Sequence, residues 1–262
     1  FFGIQSFIFA NGGESGKQAA KLLRGRSFYV SLLAECAALR ILDTLELPPT
    51  SLVQNAAGKF LIVAANTPET IIKLQKVQTD INQWFLDYTY GQSSLGLAWL
   101  PASCNNFVHK DGSDTGFKQL MKTLFEQLER TKLAAFNLCA TETVPPVFND
   151  YLNTFNNDLG ICRLNGYSPA THKNKDEIAI CDLSADQIKI GECLALRHFQ
   201  RLVISNQALS NSDKSLKLPI FGYSLRFVGD DDSSGQFSKH AQNGTIRRLI
   251  DISYAPKVDD IN

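Results

Sequence analysis

The chain has 262 residues with 26 basic and 26 acidic side chains, so its formal net charge is zero and no overall positive field attracts nucleic acid. Hydrophobic residues make up 44% of the chain and charged residues 20%, which is typical of a folded protein and excludes long disordered stretches. No apolar run reaches the roughly eighteen residues of a membrane span and no signal peptide is recognisable, so we expect a cytoplasmic protein without a membrane partner.

Apolar spacing and turn signals predict six elements in the first hundred residues. The clearest is a helix that begins with Thr67 as N-cap and Pro68 as its first residue. Gly58 can adopt a positive φ between two short β-type runs, which predicts a hairpin. In chain order we predict strand 1–10, helix 17–47, strands 51–54 and 59–64, helix 67–88 and strand 94–100. This βαββαβ order is typical of the ferredoxin-like fold, in which two helices cover one face of a four-stranded antiparallel sheet.

The remaining sequence predicts a second, mixed α/β domain. A helix at 116–130 closes the first domain, and residues 137–175 are rich in Asn, Thr, Pro and Gly. Strands are predicted at 177–181, 201–204, 216–228 and 247–254, with polar surface loops at 206–215 and 229–244. We therefore predict an α+β protein with domains at 1–132 and 133–262.

Two stretches at the start of the first helix suggest contact with phosphate. Residues 11–18 connect a strand to a helix, as a P-loop does, but Asn11 and Gln18 replace the Gly and the Ser or Thr of that motif, so we interpret them as a flexible connection. A basic cluster follows, in which Gly25 would let the backbone approach a phosphate closely. The alternative is a solvated helical face. The cluster comprises Lys17, Lys21, Arg24 and Arg26.

Three blocks of the first domain resemble one protein family in their order and spacing. They are Gly3-Ile4-Gln5-Ser6-Phe7-Ile8-Phe9, then Gly16-Lys17 with Ala19-Ala20-Lys21, and Leu23-Arg24-Gly25-Arg26-Ser27-Phe28-Tyr29. On these blocks the chain resembles the large subunit of type III-A CRISPR effector complexes, the Csm-type cyclic oligoadenylate synthetase. Residues 55–60 are similar to the Gly-rich palm hairpin of that family, and the similarity is looser after Arg130. Since the chain starts without Met, the resemblance implies a fragment with the first palm domain and the linker domain after it.

The resemblance implies that the parent protein is an ATP nucleotidyltransferase in an RNA-guided antiviral complex. Two facing palms would bind ATP, and pairing of target RNA with CRISPR RNA would switch on cyclic oligoadenylate synthesis. The Gly-Gly-Asp-Asp hairpin that binds Mg²⁺ or Mn²⁺ belongs to the family's second palm, and this sequence has no such motif. We therefore expect no catalytic residues and no activity from the fragment alone. Its expected partners are the other complex subunits, CRISPR RNA, target RNA and ATP.

Under this resemblance, the fragment supplies nucleotide-binding surface at three places. They are Gly3, Ile4 and Gln5 at the first strand, Arg24, Arg26 and Ser27 at the first helix, and Asn55, Ala56, Ala57 and Gly58 at the hairpin. The hairpin departs from the family because Ala56 and Ala57 replace glycines, and their methyl groups would hinder close backbone approach to a nucleotide.

The resemblance also implies a zinc-ribbon-like segment in the linker domain, with two Cys-x-x-Cys pairs. Here it is degenerate: Cys162 and Cys181 stand at the first position of each pair, and Asn165 and Ser184 at the second. Amides and hydroxyls replace thiolates poorly as zinc ligands, so we expect no zinc. His172 with Cys139 or Cys193 would complete a site, but their spacing does not predict one. The irregular spacing of the six cysteines favours reduced thiols over a disulfide framework.

Two other classes of protein share the ferredoxin-like topology. A nucleotide cyclase of the diguanylate type would carry acidic residues in its hairpin, and Ala56-Ala57-Gly58-Lys59-Phe60 has none. A non-catalytic RNA-binding module would show aromatic side chains alternating on its central strands, where this chain has only Phe60. A comparison of ATP binding with RNA binding separates the RNA-binding module from the family assignment.

Overall fold

The computed structural model describes residues 1–56, 58–108, 116–137, 151–196, 199–207, 214–229 and 236–253. Its α-helices are α1 (Ile4–Ile8), α2 (Ala19–Thr44), α3 (Pro68–Thr89), α4 (Gly116–Leu133), α5 (Asp182–Cys193) and α6 (Gln236–Gln242). Its strands are β1 (Leu52–Ala56), β2 (Lys59–Ile62), β3 (His172–Lys173), β4 (Ala179–Ile180), β5 (Arg201–Ser205), β6 (Ser224–Val228) and β7 (Ile246–Asp251).

The fold mixes helices with small antiparallel sheets. Within the described ranges, β1 pairs with β2, β3 pairs with β4, and the third sheet has the order β6-β5-β7. The same ranges contain no helix that is both long and apolar enough to cross a bilayer.

The chain divides into two compact units, each built from two separate stretches of sequence. The first unit consists of Phe1–Phe7 and Ala37–Leu152, and the second consists of Ile8–Cys36 and Asn153–Asn262. The stretch that carries the basic cluster therefore packs with the later part of the chain.

In the first unit, the predicted helix start and the predicted hairpin are confirmed. Thr67 caps α3, because its hydroxyl accepts the Thr70 N–H at 3.2 Å, and Pro68 is the first helical residue. Gly58 has φ +72° between β1 and β2. Helix α3 packs its apolar face into the core of this unit through the buried residues Val77, Ile81, Trp84, Phe85 and Leu86.

The predicted strands 1–10 and 94–100 are wrong for most of their length. Gly3 has φ +75°, which ends the extended backbone, and the Phe7 N–H donates to its carbonyl at 2.9 Å in the first turn of α1. Residues after Ser94 lie beside α3, where the Gln78 side-chain amide donates to the Leu95 carbonyl and accepts the Leu97 N–H. The Gln78 amide therefore occupies the backbone C=O and N–H groups that would otherwise pair with a neighbouring strand. Only a single antiparallel bridge, Phe2 to Ser94, joins the two described stretches.

In the second unit, helices α2 and α5 cross at two glycines. A Cβ atom on Gly25 would overlap the carbonyl oxygen of Gln187 and lie 2.8 Å from its carbon. A Cβ atom on Gly191 would overlap the carbonyl oxygen of Lys21 and also lie 2.8 Å from its carbon. The two helix backbones therefore touch where neither carries a side chain, and α2 continues through Gly25 as a regular helix.

Sequence analysis misses α5 and α6, and it overestimates one strand. It places residues 181–184 in a degenerate zinc segment, yet Cys181 is the N-cap of α5. Helix α6 occupies part of the predicted polar loop 229–244, of which residues 230–235 lie outside the described residues. The predicted strand 216–228 is not one continuous strand, because the chain reverses at Phe221 and Gly222, which both have a positive φ, and β6 begins at Ser224. The Leu216 N–H donates to the Leu225 carbonyl at 2.9 Å, while Asp186 accepts the N–H groups of Lys217 at 2.8 Å and Leu218 at 2.9 Å.

Asp186 gives the second unit a pH-dependent contribution to stability. Its side chain is fully buried, and burial raises its pKa from 3.8 to about 6, against the opposing effect of the two N–H groups. A carboxyl whose pKa is higher in the folded state stabilises the fold below the unfolded pKa of 3.8, and this stabilisation is lost as the pH rises through about 6. We expect the wild-type free energy of unfolding, relative to Asp186→Asn, to fall by about 2.4 kcal/mol between pH 4 and pH 7.5. Urea denaturation of both proteins at the two pH values measures the difference, and a difference independent of pH would contradict this assignment.

Candidate functional site

Two of the three predicted nucleotide-side groups lie in the first unit and adjoin each other. The Phe1 nitrogen donates to the Gly58 carbonyl at the hairpin turn at 3.2 Å. Phe2 donates its N–H to the Ser94 carbonyl at 2.6 Å and accepts the Ser94 N–H at 3.2 Å. Phe1 therefore connects the opening segment to the hairpin turn, and Phe2 connects it to the stretch after α3.

Glycine is required at the end of this opening segment. Gly3 has a positive φ, and a Cβ atom there would lie 2.5 Å from the Gln92 carbonyl oxygen. Gly3 and Gln5 are exposed, and Ile4 is half-buried. Gln5 is thus an exposed polar residue in the first turn of α1, directly after Gly3 and Ile4.

The hairpin presents a less uniform surface. Asn55 is half-buried, Ala56 is exposed and Gly58 is buried, while Ala57 lies outside the described residues. With its backbone buried, Gly58 serves the turn itself. Asn55 and Ala56 are the described hairpin positions with side chains at the surface.

Arg26, which the resemblance assigns to the nucleotide side, is buried in the second unit. It is 2% exposed, and its guanidinium donates to the carbonyls of Ile8 at 3.1 Å, Ala10 at 2.6 Å and Leu164 at 3.2 Å, and to Gln187 Oε1 at 2.9 Å. Most of the N–H groups of this arginine are thereby directed at protein acceptors. Arg26 therefore clamps together the segment 8–10, the turn at Leu164 and helix α5. These contacts leave no pair of guanidinium N–H groups available to bind a phosphate.

The rest of the basic cluster is exposed, and each member contacts a protein acceptor. Lys17 pairs with Glu14 and Lys21 with Glu192, each at 2.8 Å, while Arg24 donates to the Gly191 carbonyl at 2.8 Å. Surface ion pairs of this kind are weak and compete little with a ligand. Ser27 is exposed one turn after Arg24.

The loop that resembles a P-loop lines an open cleft of about 940 Å³ in the second unit. Cations and carboxylates alternate around it, so the cleft carries no net positive charge to hold a phosphate. The charged lining residues are Glu14, Lys17, Lys21, Arg163, Asp176 and Glu177. This composition agrees with the interpretation of residues 11–18 as a connection.

The four positions of the degenerate zinc segment converge in one buried cluster. The sulfurs of Cys162 and Cys181 lie 3.4 and 3.3 Å from the Ser184 Oγ. Asn165 donates from Nδ2 to Cys181 Sγ at 3.5 Å and to Ser168 Oγ at 2.9 Å. The side chains of Cys162, Asn165, Cys181 and Ser184 therefore lie next to one another.

The two thiols of this cluster differ in their acidity. The pKa of Cys162 is lowered to about 5. Its hydrogen bond with Cys181 has the largest effect, burial acts in the opposite direction, and a hydrogen bond with Ser184 lowers the pKa further. The same hydrogen bond with Cys162, together with burial, raises the pKa of Cys181 well above its usual value. Burial lowers the pKa of Arg26, and the charges of Tyr167 and these cysteines act in the opposite direction.

No further ligand for a metal gathers around these thiols in the part of the chain that the structure describes. A group of three or more His, Cys, Asp or Glu side chains suited to a metal ion is absent from those residues. His172 lies within 3.3 Å of Asp182 and 3.0 Å of the Lys217 ammonium. Burial raises the pKa of Cys193 to about 11, and Cys139 lies outside the described residues.

Sequence reasoning missed two residues that organise this region, Gln187 and Gly191. Both lie on α5, and their four-residue spacing places them on one helix face, against Arg26 and Lys21. The available signal was the acidic Asp182 at the start of a stretch with the apolar residues Leu183 and Ile190 at helical spacing.

Comparison with protein families and curated proteins gives one consistent result. The family model described as Csm1 subunit domain B matches residues 1–148. The CRISPR system single-strand-specific deoxyribonuclease Cas10/Csm1 (subtype III-A) of Thermococcus onnurineus is 34% identical over 136 residues, which is 52% of this chain and 17% of that protein. Its counterpart in Methanocaldococcus jannaschii is 26% identical over 217 residues, 79% of this chain and 26% of that protein. The chain therefore spans only a minor part of the length of these relatives.

Solved structures share the fold of the chain. A crystal structure of a Csm1-Csm4 cassette in complex with one ATP matches 87% of this chain and 25% of that chain, with a TM-score of 0.57 and 20% identity. A cassette in complex with cA3 gives a TM-score of 0.57 at 21% identity over 87% of this chain and 24% of that chain. The crystal structure of Csm1 from T. onnurineus gives 0.55 at 21% identity, with the same coverage.

Proposed function

The chain belongs to the Csm1 subunit domain B family, whose model matches more than half of it, and from this premise we propose that it provides one palm and the following linker of a type III-A large subunit. Residues 1–132 form the palm and residues 133–262 the linker. The palm contributes nucleotide-binding surface for cyclic oligoadenylate synthesis, and a second palm outside this sequence carries the catalytic Mg²⁺ or Mn²⁺ site. The other effector subunits, CRISPR RNA and target RNA are the proposed partners, and the cytoplasm is the proposed location.

The observation that carries this proposal is the placement of the opening segment in the first unit. Phe1 and Phe2 lie between the hairpin turn at Gly58 and the stretch at Ser94. In a ferredoxin-like sheet the first strand is flanked in the same way, by one strand of the hairpin and by the last strand. The antiparallel direction of the bridge to Ser94 supports this order. In the proposed ferredoxin-like palm, the first and last strands therefore pair over a short length, through the bridge between Phe2 and Ser94.

The proposed nucleotide surface combines the opening segment with the hairpin. Gly3, Ile4 and Gln5 supply the rigid turn, and residues 55–58 supply the adjoining loop. The exposed amide of Gln5 is suited to hydrogen bonding with a base or ribose. Within the second unit, Arg24 and Ser27 are proposed as a separate nucleotide contact, whereas Arg26 supports that unit from inside.

Photo-crosslinking with 8-azido-ATP tests the nucleotide surface. We expect label in peptides from residues 1–10 or 52–62, and we expect an excess of ATP to suppress it. Gln5→Ala should reduce labelling about fivefold, since one neutral hydrogen bond is worth about 1 kcal/mol. Gln119→Ala is the matched control, because Gln119 is an exposed glutamine on α4 of the same unit.

Three results bear on the proposal. Label confined to peptides outside both segments, or equal loss in the two variants, would contradict the nucleotide surface. Binding of single-stranded RNA without ATP labelling would favour the RNA-binding alternative. Oligoadenylate products after incubation of the chain alone with ATP and Mg²⁺ or Mn²⁺ would contradict the assignment of catalysis to the second palm.

A further inference from the structure

The buried cluster of Cys162, Asn165, Cys181 and Ser184 does not fit the zinc site that the family resemblance implies. Structural zinc takes four thiolate or imidazole ligands in a tetrahedron, and this cluster offers two thiols. The orientation of Asn165 adds a stronger objection. Its Oδ1 accepts the backbone N–H groups of Tyr167 and Ser168, both at 3.2 Å, which leaves the Nδ2 side towards Cys181. A donor therefore faces the sulfurs, where a cation needs an acceptor.

Asn165 and Ser184 make hydrogen bonds that connect the cluster, as a metal ion would do in a zinc site. Asn165 closes the turn 162–168 through Tyr167 and Ser168 and also reaches across to Cys181. Ser184 contacts both sulfurs through Oγ, and its N–H donates to Cys181 Sγ at 3.5 Å at the start of α5. All four side chains are at most 5% exposed, so these polar atoms depend on one another for partners.

We propose that this cluster is a hydrogen-bonded knuckle, in which Asn165 and Ser184 join the two turns in place of a zinc ion. The second unit then folds without metal. The knuckle also holds Leu164, whose carbonyl is one of the acceptors of the Arg26 clamp. Removing the hydrogen bonds should therefore loosen the region in a way that zinc does not repair. This inference is independent of the proposed nucleotide surface.

Three versions of the 262-residue chain test the knuckle: wild type, Asn165→Ala with Ser184→Ala, and Asn165→Cys with Ser184→Cys. We expect wild type to bind no zinc and to keep its melting temperature in a strong chelator. The double alanine variant should melt about 5 °C lower or more, with or without zinc, because buried groups lose their partners. The double cysteine variant should bind one Zn²⁺ at least about 100-fold more tightly than wild type, and Co²⁺ should give the absorption bands of a tetrahedral thiolate site.

Wild type and the double alanine variant can each overturn the proposal. One tightly bound zinc per wild-type chain, with a melting temperature that falls on chelation, would do so. A double alanine variant as stable as wild type would also overturn it, since the hydrogen bonds would then not hold the cluster. If the double cysteine variant does not fold, the zinc content of wild type and the stability of the alanine variant still decide the question.

Discussion

Replacing Arg26 with alanine is expected to lower the free energy of unfolding by about 3 to 5 kcal/mol. The substitution leaves the carbonyls of Ile8, Ala10 and Leu164 and the amide of Gln187 without the donor that now joins them. Arg26→Lys should also destabilise the protein, because a single ammonium group cannot reach four acceptors arranged around a planar guanidinium. Urea denaturation followed by far-ultraviolet circular dichroism measures both changes.

Arg24→Ala provides the matched control for this clamp. Arg24 lies on the same helix, is exposed, and makes one hydrogen bond with the Gly191 carbonyl, so we expect a loss below about 1 kcal/mol. Should the two alanine variants be equally stable while Arg26→Ala alone loses ATP crosslinking, the phosphate-binding interpretation from sequence would be right and the structural clamp wrong.

The second large effect is expected at the glycine crossing of α2 and α5. Gly25→Ala should cost about 3 kcal/mol, because the new methyl group overlaps backbone atoms of Gln187 that cannot rotate away. The higher helix propensity of alanine returns only about 1 kcal/mol, so the overlap decides the sign. Gly191→Ala should act in the same way against Lys21. Chemical denaturation of each variant gives the values.

A control and a double variant make the crossing testable. Gly16 has no heavy atom within 4 Å of an added Cβ, so Gly16→Ala should stay within about 0.5 kcal/mol of wild type. The double variant of Gly25 and Gly191 should cost less than the sum of the single ones, because the first methyl group already separates the helices. A Gly25→Ala protein as stable as the Gly16→Ala protein would show that the helices do not cross closely.

Local sequence signals predicted the parts of the candidate site that depend on neighbouring residues. Thr67 and Pro68 marked the start of α3, and Gly58 marked the hairpin turn, because caps and turns use backbone groups only a few residues away. The positions of Cys162 and Cys181 were indicated only by the family resemblance. Resemblance alone pointed to Gly3 as a nucleotide-side residue, whereas its positive φ is evident only from coordinates.

The basic cluster shows where such signals fail. Arg24 and Arg26 are two residues apart on one helix, and a sequence pattern treats them alike. In a helix, however, positions two apart point in different directions, and only Arg26 is buried, where its guanidinium reaches Leu164 and Gln187. Which direction faces protein depends on residues 138 and 161 positions later in the chain, and no local pattern contains that information.

The amino-acid sequence by itself determined the family, the start of α3 and the hairpin turn, since each of these depends on residue identity or short spacing. Tertiary structure alone decided that Arg26 is a clamp, that Gly25 is a helix contact, and that Asn165 turns its amide hydrogens towards a sulfur. The reason is that a polar group or a glycine acquires its role from the atoms opposite it, and in a folded chain those atoms come from distant segments.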